Sequence, residues 1–251
     1  MQSRQDREMR LCAIIPSYRH AAKLPEISAS LRTHGLSVLI VDDGNDGPIR
    51  GAIKALHAPG QGIEVMRLDV NGGKGAAMQA GFKAALERGF THALQIDADG
   101  QHDLSNVAGF IAAAEQHPDA LICGRALYDE SVPKGRQYGR YITHFWVWVE
   151  TCSFDIADSM CGFRLYPLAP VAELIKHGRR VGARMDFDTE IAVRLHWRGV
   201  PVINLPTRVI YPPDNTSNFD MLRDNVRISL MHTKLVLEAL FRLIGKALHR
   251  R

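Results

Sequence analysis

The stretch His92–His102, HALQIDADGQH, runs from an apolar segment straight into two carboxylates one residue apart. Its first part, His92–Asp97, reads as a buried strand. Ligands of open α/β sheets bind beyond the carboxyl ends of the strands. Asp97 and Asp99 stand at such an end and can turn toward one point. Oxygen donors of this kind suit Mg²⁺ or Mn²⁺, which keep waters and bridge phosphates. An acidic turn, with Asp103 capping the next helix, reads equally well from these residues alone.

The neighbouring sequence repeats the alternation. Leu11–Ser17, Ser37–Asp43, Ile63–Val70 and Ala120–Arg125 are further short apolar runs. Between them lie helical patterns at Pro25–Thr33, Pro48–Leu56, Lys74–Arg88 and Leu104–Gln116, the third stopped by Gly89 and the last before Pro118. Strands with little internal alternation, separated by helices, predict a mostly parallel central sheet with helices on both faces. The second half differs in texture. Tyr138–Thr151 is aromatic and helical in pattern, with FWVWV at Phe145–Val149 expected in the core or on a groove wall. Met160–Pro167 is extended, Asp186–Trp197 an amphipathic helix, Val200–Tyr211 a strand region broken by prolines, and the chain from Asp220 onward helical.

Composition sets outer limits. The chain has 251 residues, 46% hydrophobic and 23% charged, which suits one domain with a C-terminal extension. A net charge of +4 is too mild to argue for a nucleic-acid partner. Cys12, Cys123, Cys152 and Cys161 show neither paired spacing nor a zinc signature and read as small buried hydrophobes. The polar start MQSRQDREMR and the lack of a long apolar run predict no secretory signal and no membrane span, hence a cytoplasmic setting.

Two further segments point to a ligand. In Val41–Gly44, VDDG, Asp42 and Asp43 end a strand where a carboxylate can accept hydrogen bonds from a ribose or a base; an Asx turn is the structural alternative. In Asn71–Ala77, NGGKGAA, glycines precede a helix whose N-terminus favours an anion, and Lys74 adds charge. This is not a Walker A loop, since the spacing fails and Gly75 stands where a metal-binding Ser or Thr belongs. PSYRHAAKL follows the first strand in place of GxGxxG, which disfavours a dinucleotide-binding dehydrogenase. No serine has a nucleophile-elbow context.

In order along the chain stand IIPSY (Ile14–Tyr18), VDDG, NGGKGAA, DADGQH (Asp97–His102), CGFRLYP (Cys161–Pro167) and FDTEIAVR (Phe187–Arg194). Together they resemble a family 2 glycosyltransferase with the GT-A fold, on the polyprenyl-phosphate mannose and glucose synthase branch. The resemblance covers residues 10–212, leaving 213–251 as a helical extension. It implies an inverting transfer from a UDP- or GDP-linked sugar. Pro16 and Tyr18 would lie beside the base, Asp43 would bind base or ribose, and Asp42 would support the turn. Lys74 would line the nucleotide pocket, Asp97 would contact the sugar or ribose, and Asp99 with Gln101 would hold the metal on the diphosphate. Arg125 matches an arginine near the phosphates, Asp158 an acid just before CGFR, and Glu190 a glutamate on the acceptor side. The branch also implies a lipid or lipid-phosphate acceptor at the inner face of a membrane. Arg19-His20 stand where many members carry Asn-Glu, and the QxxRW signature of processive synthases is absent.

Sugar transfer loads negative charge onto the leaving phosphate, which a divalent cation and a group such as Arg125 stabilise. A hydroxyl acceptor needs a carboxylate to take its proton; a phosphate acceptor is already a nucleophile. Asp186 and Asp188 cannot both face one way along a helix, so one caps it while the other points at substrate. Asp188 is the first choice for an acceptor-side acid, with Asp158 and Glu190 next. A sugar-nucleotide-forming nucleotidyltransferase would carry a basic Gly-rich loop after the first strand, which is absent. A catalytically silent binding module is disfavoured by the intact Asp97 and Asp99. At the C-terminus, Leu237, Leu240, Phe241, Ile244 and Leu248 share one helical face, with Glu238, Arg242, Lys246 and His249 on the other. This stripe suits either a membrane surface or packing on protein.

Overall fold

The computed structural model of the chain describes residues 8–127, 134–176, 181–209 and 218–248. Its sheet has seven strands: β1 (Leu11–Ser17), β2 (Ser37–Asp43), β3 (Ile63–Leu68), β4 (His92–Gln95), β5 (Leu121–Leu127), β6 (Arg164–Pro167) and β7 (Val202–Arg208). Their order is β3-β2-β1-β4-β6-β5-β7. All run parallel except β6, which is antiparallel to both neighbours. β6 therefore begins at the edge where the other strands end. That edge collects the ends of β1, β2, β4 and β5 together with the segment entering β6.

The near-continuous apolar runs follow from burial on both faces. In β1, Cys12 and Ile14 join one core while Ala13 and Ile15 join the other; in β2, Leu39 and Val41 oppose Val38 and Ile40 in the same way. Helices α1 (Leu24–Thr33), α2 (Gly47–Ala55) and α4 (Val107–Gln116) cover one face, through residues such as Leu31, Ile53 and Phe110. On the other face lie α3 (Lys74–Glu87), α5 (Lys134–Thr151), α6 (Leu168–Lys176), α7 (Phe187–His196) and α8 (Met221–Leu248). β4 is shorter than expected because the chain leaves the ladder after Gln95, although the Ile96 N–H still reaches the Ile14 carbonyl at 3.2 Å. The sequence did not suggest α6. Its Pro170 sits in the first turn, where a missing N–H is harmless, and Leu168, Val171 and Leu174 are its buried stripe.

Two expectations about the second half change. FWVWV is not simply core: Val147 is fully buried, but Phe145, Trp146 and Val149 are exposed, because a helix turns successive residues away from its packed side. The C-terminal stripe, among the described residues, does not pack on the chain's own core either. Leu237, Leu240, Phe241 and Ile244 are exposed, and α8 docks through Met231, Leu235 and Ala239. Its polar side faces inward: Arg194 Nη1 lies 2.9 Å from Glu238 Oε2, and Arg242 donates to the Trp197 carbonyl at 2.6 Å. The expected boundary at 212–213, Tyr211 and His249–Arg251 lie outside the described residues, as do the side chains of Lys246 and Leu248.

Candidate active site

At the end of β2, Asp42 and Asp43 have separate tasks. Asp42 Oδ1 accepts from the Asn45 N–H and side-chain amide at 2.9 and 2.8 Å, and its Oδ2 pairs with Arg67 at 2.7 Å. Asn45 in turn donates to the Ser17 carbonyl and accepts from the Arg19 N–H. The ends of β1 and β2 are thereby tied together through Asp42 and Asn45. Asp43 accepts the Gly72 N–H at 2.7 Å, the Gly73 N–H at 2.9 Å and the Asn71 amide at 3.0 Å. Two N–H groups of the Gly-rich loop are thus taken by the protein's own Asp43. Gly44, at φ +71°, permits this approach: a Cβ there would lie 2.5 Å from the Asn71 nitrogen.

The loop is held from its other side by residues 182–184. The Ala76 N–H donates to the Ala183 carbonyl at 2.9 Å, and Arg184 Nη1 donates to Asn71 Oδ1 at 2.9 Å. Lys74, the first residue of α3, is thus aimed inward rather than along the loop. Its Nζ stands 2.7 Å from Asp97 Oδ1 and 2.7 Å from Asp188 Oδ2. Burial alone would lower its pKa, but the Asp188 and Asp97 carboxylates outweigh burial and hold it above the ordinary lysine value.

Asp188 is fixed from three directions. Gln95 Nε2 donates to its Oδ1 at 2.8 Å, Tyr166 OH donates to Gln95 Oε1 at 3.0 Å, and the buried Arg164 guanidinium donates to the Asp188 carbonyl. Arg164 also donates to the Ser159 carbonyl at 2.6 Å. Gln95, Gly162, Arg164 and Tyr166 were not foreseen as site residues. The legible signal was Gln95, a polar side chain in an otherwise apolar strand, which must find a buried partner.

Asp97 meets Lys74 with one oxygen and lies 3.5 Å from His102 Nε2 with the other. Burial opposes its ionisation, yet Lys74 and His102 hold it well below the usual carboxylate range. Asp99 behaves oppositely. Burial and the adjacent Asp97 charge push its pKa up, and the Gln101 N–H on its Oδ1, at 3.0 Å, only partly offsets them. Burial is the larger cause of that rise and the Asp97 charge the second, with His102 and Lys74 only partly opposing them. Among the described residues no three His, Cys, Asp or Glu side chains converge on one point. Asp99, with Gln101 two residues on, could form only part of a coordination shell, as is usual for Mg²⁺ or Mn²⁺, whose shells are completed by phosphate oxygens and water. The donor set fits such an ion.

Gly162 determines whether the charge cluster can assemble. A Cβ on it would lie 2.4 Å from Asp97 Oδ2 and 2.6 Å from Lys74 Nζ. Gly162→Ala is expected to destabilise the fold by about 1–3 kcal/mol through overpacking. Denaturant unfolding checks this, and an unchanged midpoint would show that the cluster tolerates displacement.

The remaining expected site residues are spread around this edge. Pro16 pairs in register with Val41, and Tyr18 follows β1, with the Arg19 guanidinium 5.0 Å from its ring centroid. Arg125 is exposed near the end of β5, opposite Pro206 of β7. Asp158 accepts from the N–H groups of Ala126, Met160 and Cys161 and from Arg140 at 3.2 Å. Although burial opposes it, Arg140 and these donors hold its pKa down, so Asp158 is an anchor for the segment entering β6 and a weak proton acceptor. Glu190 is not brought to the charge cluster. Its Oε1 accepts from Arg194 at 2.8 and 2.6 Å and pairs with Lys234 of α8 at 3.1 Å, while its Oε2 accepts the Gly182 N–H. Of the three acceptor-side candidates, only Asp188 joins Lys74 and Asp97. Asp186 stands at the N-cap position of α7 but makes no side-chain cap bond, accepting the Arg184 N–H at 3.1 Å instead, so the expected cap is not formed while Asp188 points inward.

Residues 12–169 match the family described as Glycosyl transferase family 2. The chain is 27% identical over 177 residues to a dolichyl-phosphate beta-glucosyltransferase of Dictyostelium discoideum, covering 62% of this chain and 53% of that protein. It is 33% identical over 121 residues to a polyprenol monophosphomannose synthase of Mycolicibacterium smegmatis, covering 46% and 45%. The chain thus spans about half the length of these curated relatives. Among solved structures, glucosyl-3-phosphoglycerate synthase of Mycobacterium tuberculosis, in complex with Mn²⁺ and UDP-glucose, superposes with a TM-score of 0.63 at 12% identity, covering 92% of this chain and 79% of that one. At that identity the likeness is one of fold.

Proposed function

Because the chain belongs to glycosyl transferase family 2 and has the GT-A fold, we propose that it moves a sugar from a UDP- or GDP-linked donor to a lipid phosphate of the polyprenyl type, with inversion and with a divalent cation. The single observation that carries the acceptor class is the state of the carboxylates. Asp158 is held by Arg140 and backbone donors, Glu190 by Arg194 and Lys234, and Asp188 by Lys74 and Gln95. A hydroxyl acceptor would need one of them as a base, whereas a phosphate arrives ionised. The curated relatives, named for dolichyl phosphate and polyprenol, support the same acceptor class.

In this reading Pro16, Tyr18 and Asp43 flank the base and ribose, and Asp97 orients the donor while Lys74 keeps it ionised. Asp99 and Gln101 hold Mg²⁺ or Mn²⁺, whose chemistry is to neutralise charge on the departing diphosphate. Arg125, exposed at the same edge, adds a cation there. Asp188 positions Lys74. An acceptor of this class places the enzyme at the inner face of a membrane.

The test compares two acceptors that share one isoprenoid chain, the phosphate and the free alcohol, with UDP- and GDP-sugars and Mn²⁺. Glycosylation of the phosphate alone is expected. Transfer to the alcohol would overturn the acceptor class, pyrophosphate-dependent turnover would point to a nucleotidyltransferase, and tight donor binding without turnover to a silent module.

A further inference from the structure

Large exposed hydrophobic side chains are not spread over the described surface. They concentrate on two helices that pack side by side. On α5, Tyr141, Ile142, Phe145, Trp146 and Val149 are exposed; on α8, Leu222, Val226, Leu230, Leu237, Leu240 and Phe241 are. Their spacing places each set along an outward face, while Val147 on α5 and Met231 and Leu235 on α8 are buried. Isolated apolar residues on a surface need no explanation, but their concentration on two neighbouring helices is what an interaction site shows.

Charge identifies the occupant. Segments 134–151 and 221–251 carry ten of the chain's 31 Lys and Arg but only three of its 27 Asp and Glu. Two of those acids are turned inward, as are the cations Arg140, toward Asp158, and Arg242, toward the Trp197 carbonyl, whereas Arg223, Arg227 and Lys234 of α8 are exposed. Glu150 is buried against His232 Nδ1 at 2.6 Å, and Asp224 is buried beside Arg227. The remainder of the chain carries more acidic than basic residues. A second copy would bring two such basic faces together and be repelled. An anionic bilayer surface would attract them, and Trp and Tyr side chains such as Trp146 and Tyr141 favour the headgroup level. Among the described residues no helix is long and apolar enough to cross a membrane, so the contact would be interfacial.

We propose that α5 and α8 together form one docking face for an anionic membrane surface. The face adjoins the candidate active site through α5, whose Arg140 contacts Asp158 at the edge where β6 begins. It adjoins the site through α8 as well, because Lys234 and Glu238 hold the Glu190–Arg194 pair on α7, the helix that carries Asp188. The proposal deepens the lipid-phosphate reading, but the exposure and charge on which it stands are independent of that reading.

Flotation of the full chain with phosphatidylcholine vesicles, with and without phosphatidylglycerol, tests it. Binding is expected only to the anionic vesicles and should weaken with added salt. Tyr141→Ser with Phe145→Ser on α5, and separately Leu237→Ser with Phe241→Ser on α8, should each weaken binding at least about tenfold, with thermal unfolding and nucleoside diphosphate binding unchanged. Failure of the wild type to bind overturns the proposal. Wild-type binding by the α5 variant would confine the contact to α8 and overturn the shared face. A dimer in sedimentation that the same substitutions dissociate, without vesicle binding, would assign the face to a second copy. The vesicles contain no polyprenyl phosphate, so their binding is read apart from the acceptor assay: docking here with no transfer to the isoprenoid phosphate there would overturn the acceptor reading alone, and transfer there without docking here would overturn the docking alone.

Discussion

Asp99→Ala is expected to lower sugar transfer by about a thousandfold, the rate equivalent of several kcal/mol of lost metal-assisted charge stabilisation. The fold should survive. Burial and the Asp97 charge raise the pKa of Asp99, so its ionised form is less favourable in the folded chain than in the unfolded one. Removing that charge at neutral pH cannot remove a stabilising pair. Asp99→Asn should therefore unfold at a temperature no lower than the wild type while losing Mn²⁺ binding. Near wild-type turnover in either variant would end the assignment of Asp99 as a metal ligand.

Lys74→Met is expected to harm both fold and activity. The substitution keeps an unbranched side chain, one atom shorter, but leaves Asp97 and Asp188 facing a site that has lost its cation. Breaking a buried pair costs about 3–5 kcal/mol, and the partial exposure of Asp97 reduces this to roughly 2–3 kcal/mol. The pH dependence has a definite sign. Asp97 titrates below its ordinary value in the fold, so its contribution to stability is present above the unfolded value, near 3.8, and is lost as pH falls toward the folded one. Without Lys74 that acid limb should move to higher pH. Adding Asp188→Asn should recover part of the loss, since the two residues are in contact and their effects are not additive. Equal stability of Lys74→Met and wild type at neutral pH would show that the pair contributes nothing.

Much of the fold was legible because the runs leading to Ser17, Asp43, Gln95 and Gly124 are buried on both faces, and unbroken apolar strands between helices leave few alternatives. The two acidic strand ends were legible for the same reason, since carboxylates seldom terminate a buried strand without a partner. Their partners were not. Asp43 meets Gly72 across 29 residues, and Gln95 meets Asp188 across 93. Such pairings are set by topology, which periodicity along the chain does not encode. Lys74 looked like a phosphate ligand because a glycine loop precedes a helix; its inward direction depends on residues 182–184 closing on that loop. Glu190 carried a site-like position in a site-like motif, yet a helix turns residues two apart to different sides, and Arg194 and Lys234 hold it away from the charge cluster.

The antiparallel β6 acts as a ruler. Arg164 stands in register with Gln95 of β4 on one side and with Cys123 of β5 on the other. Gln95 and Cys123 therefore share one level, with a single strand between them, and Asp97 and Arg125 lie past that level on either side of the segment entering β6. Their strands are separated by two ladder spacings, roughly 9.5 Å. Backbone hydrogen bonds, not side chains, set that gap. Substitutions can alter what lines it, but its width changes only in whole strands.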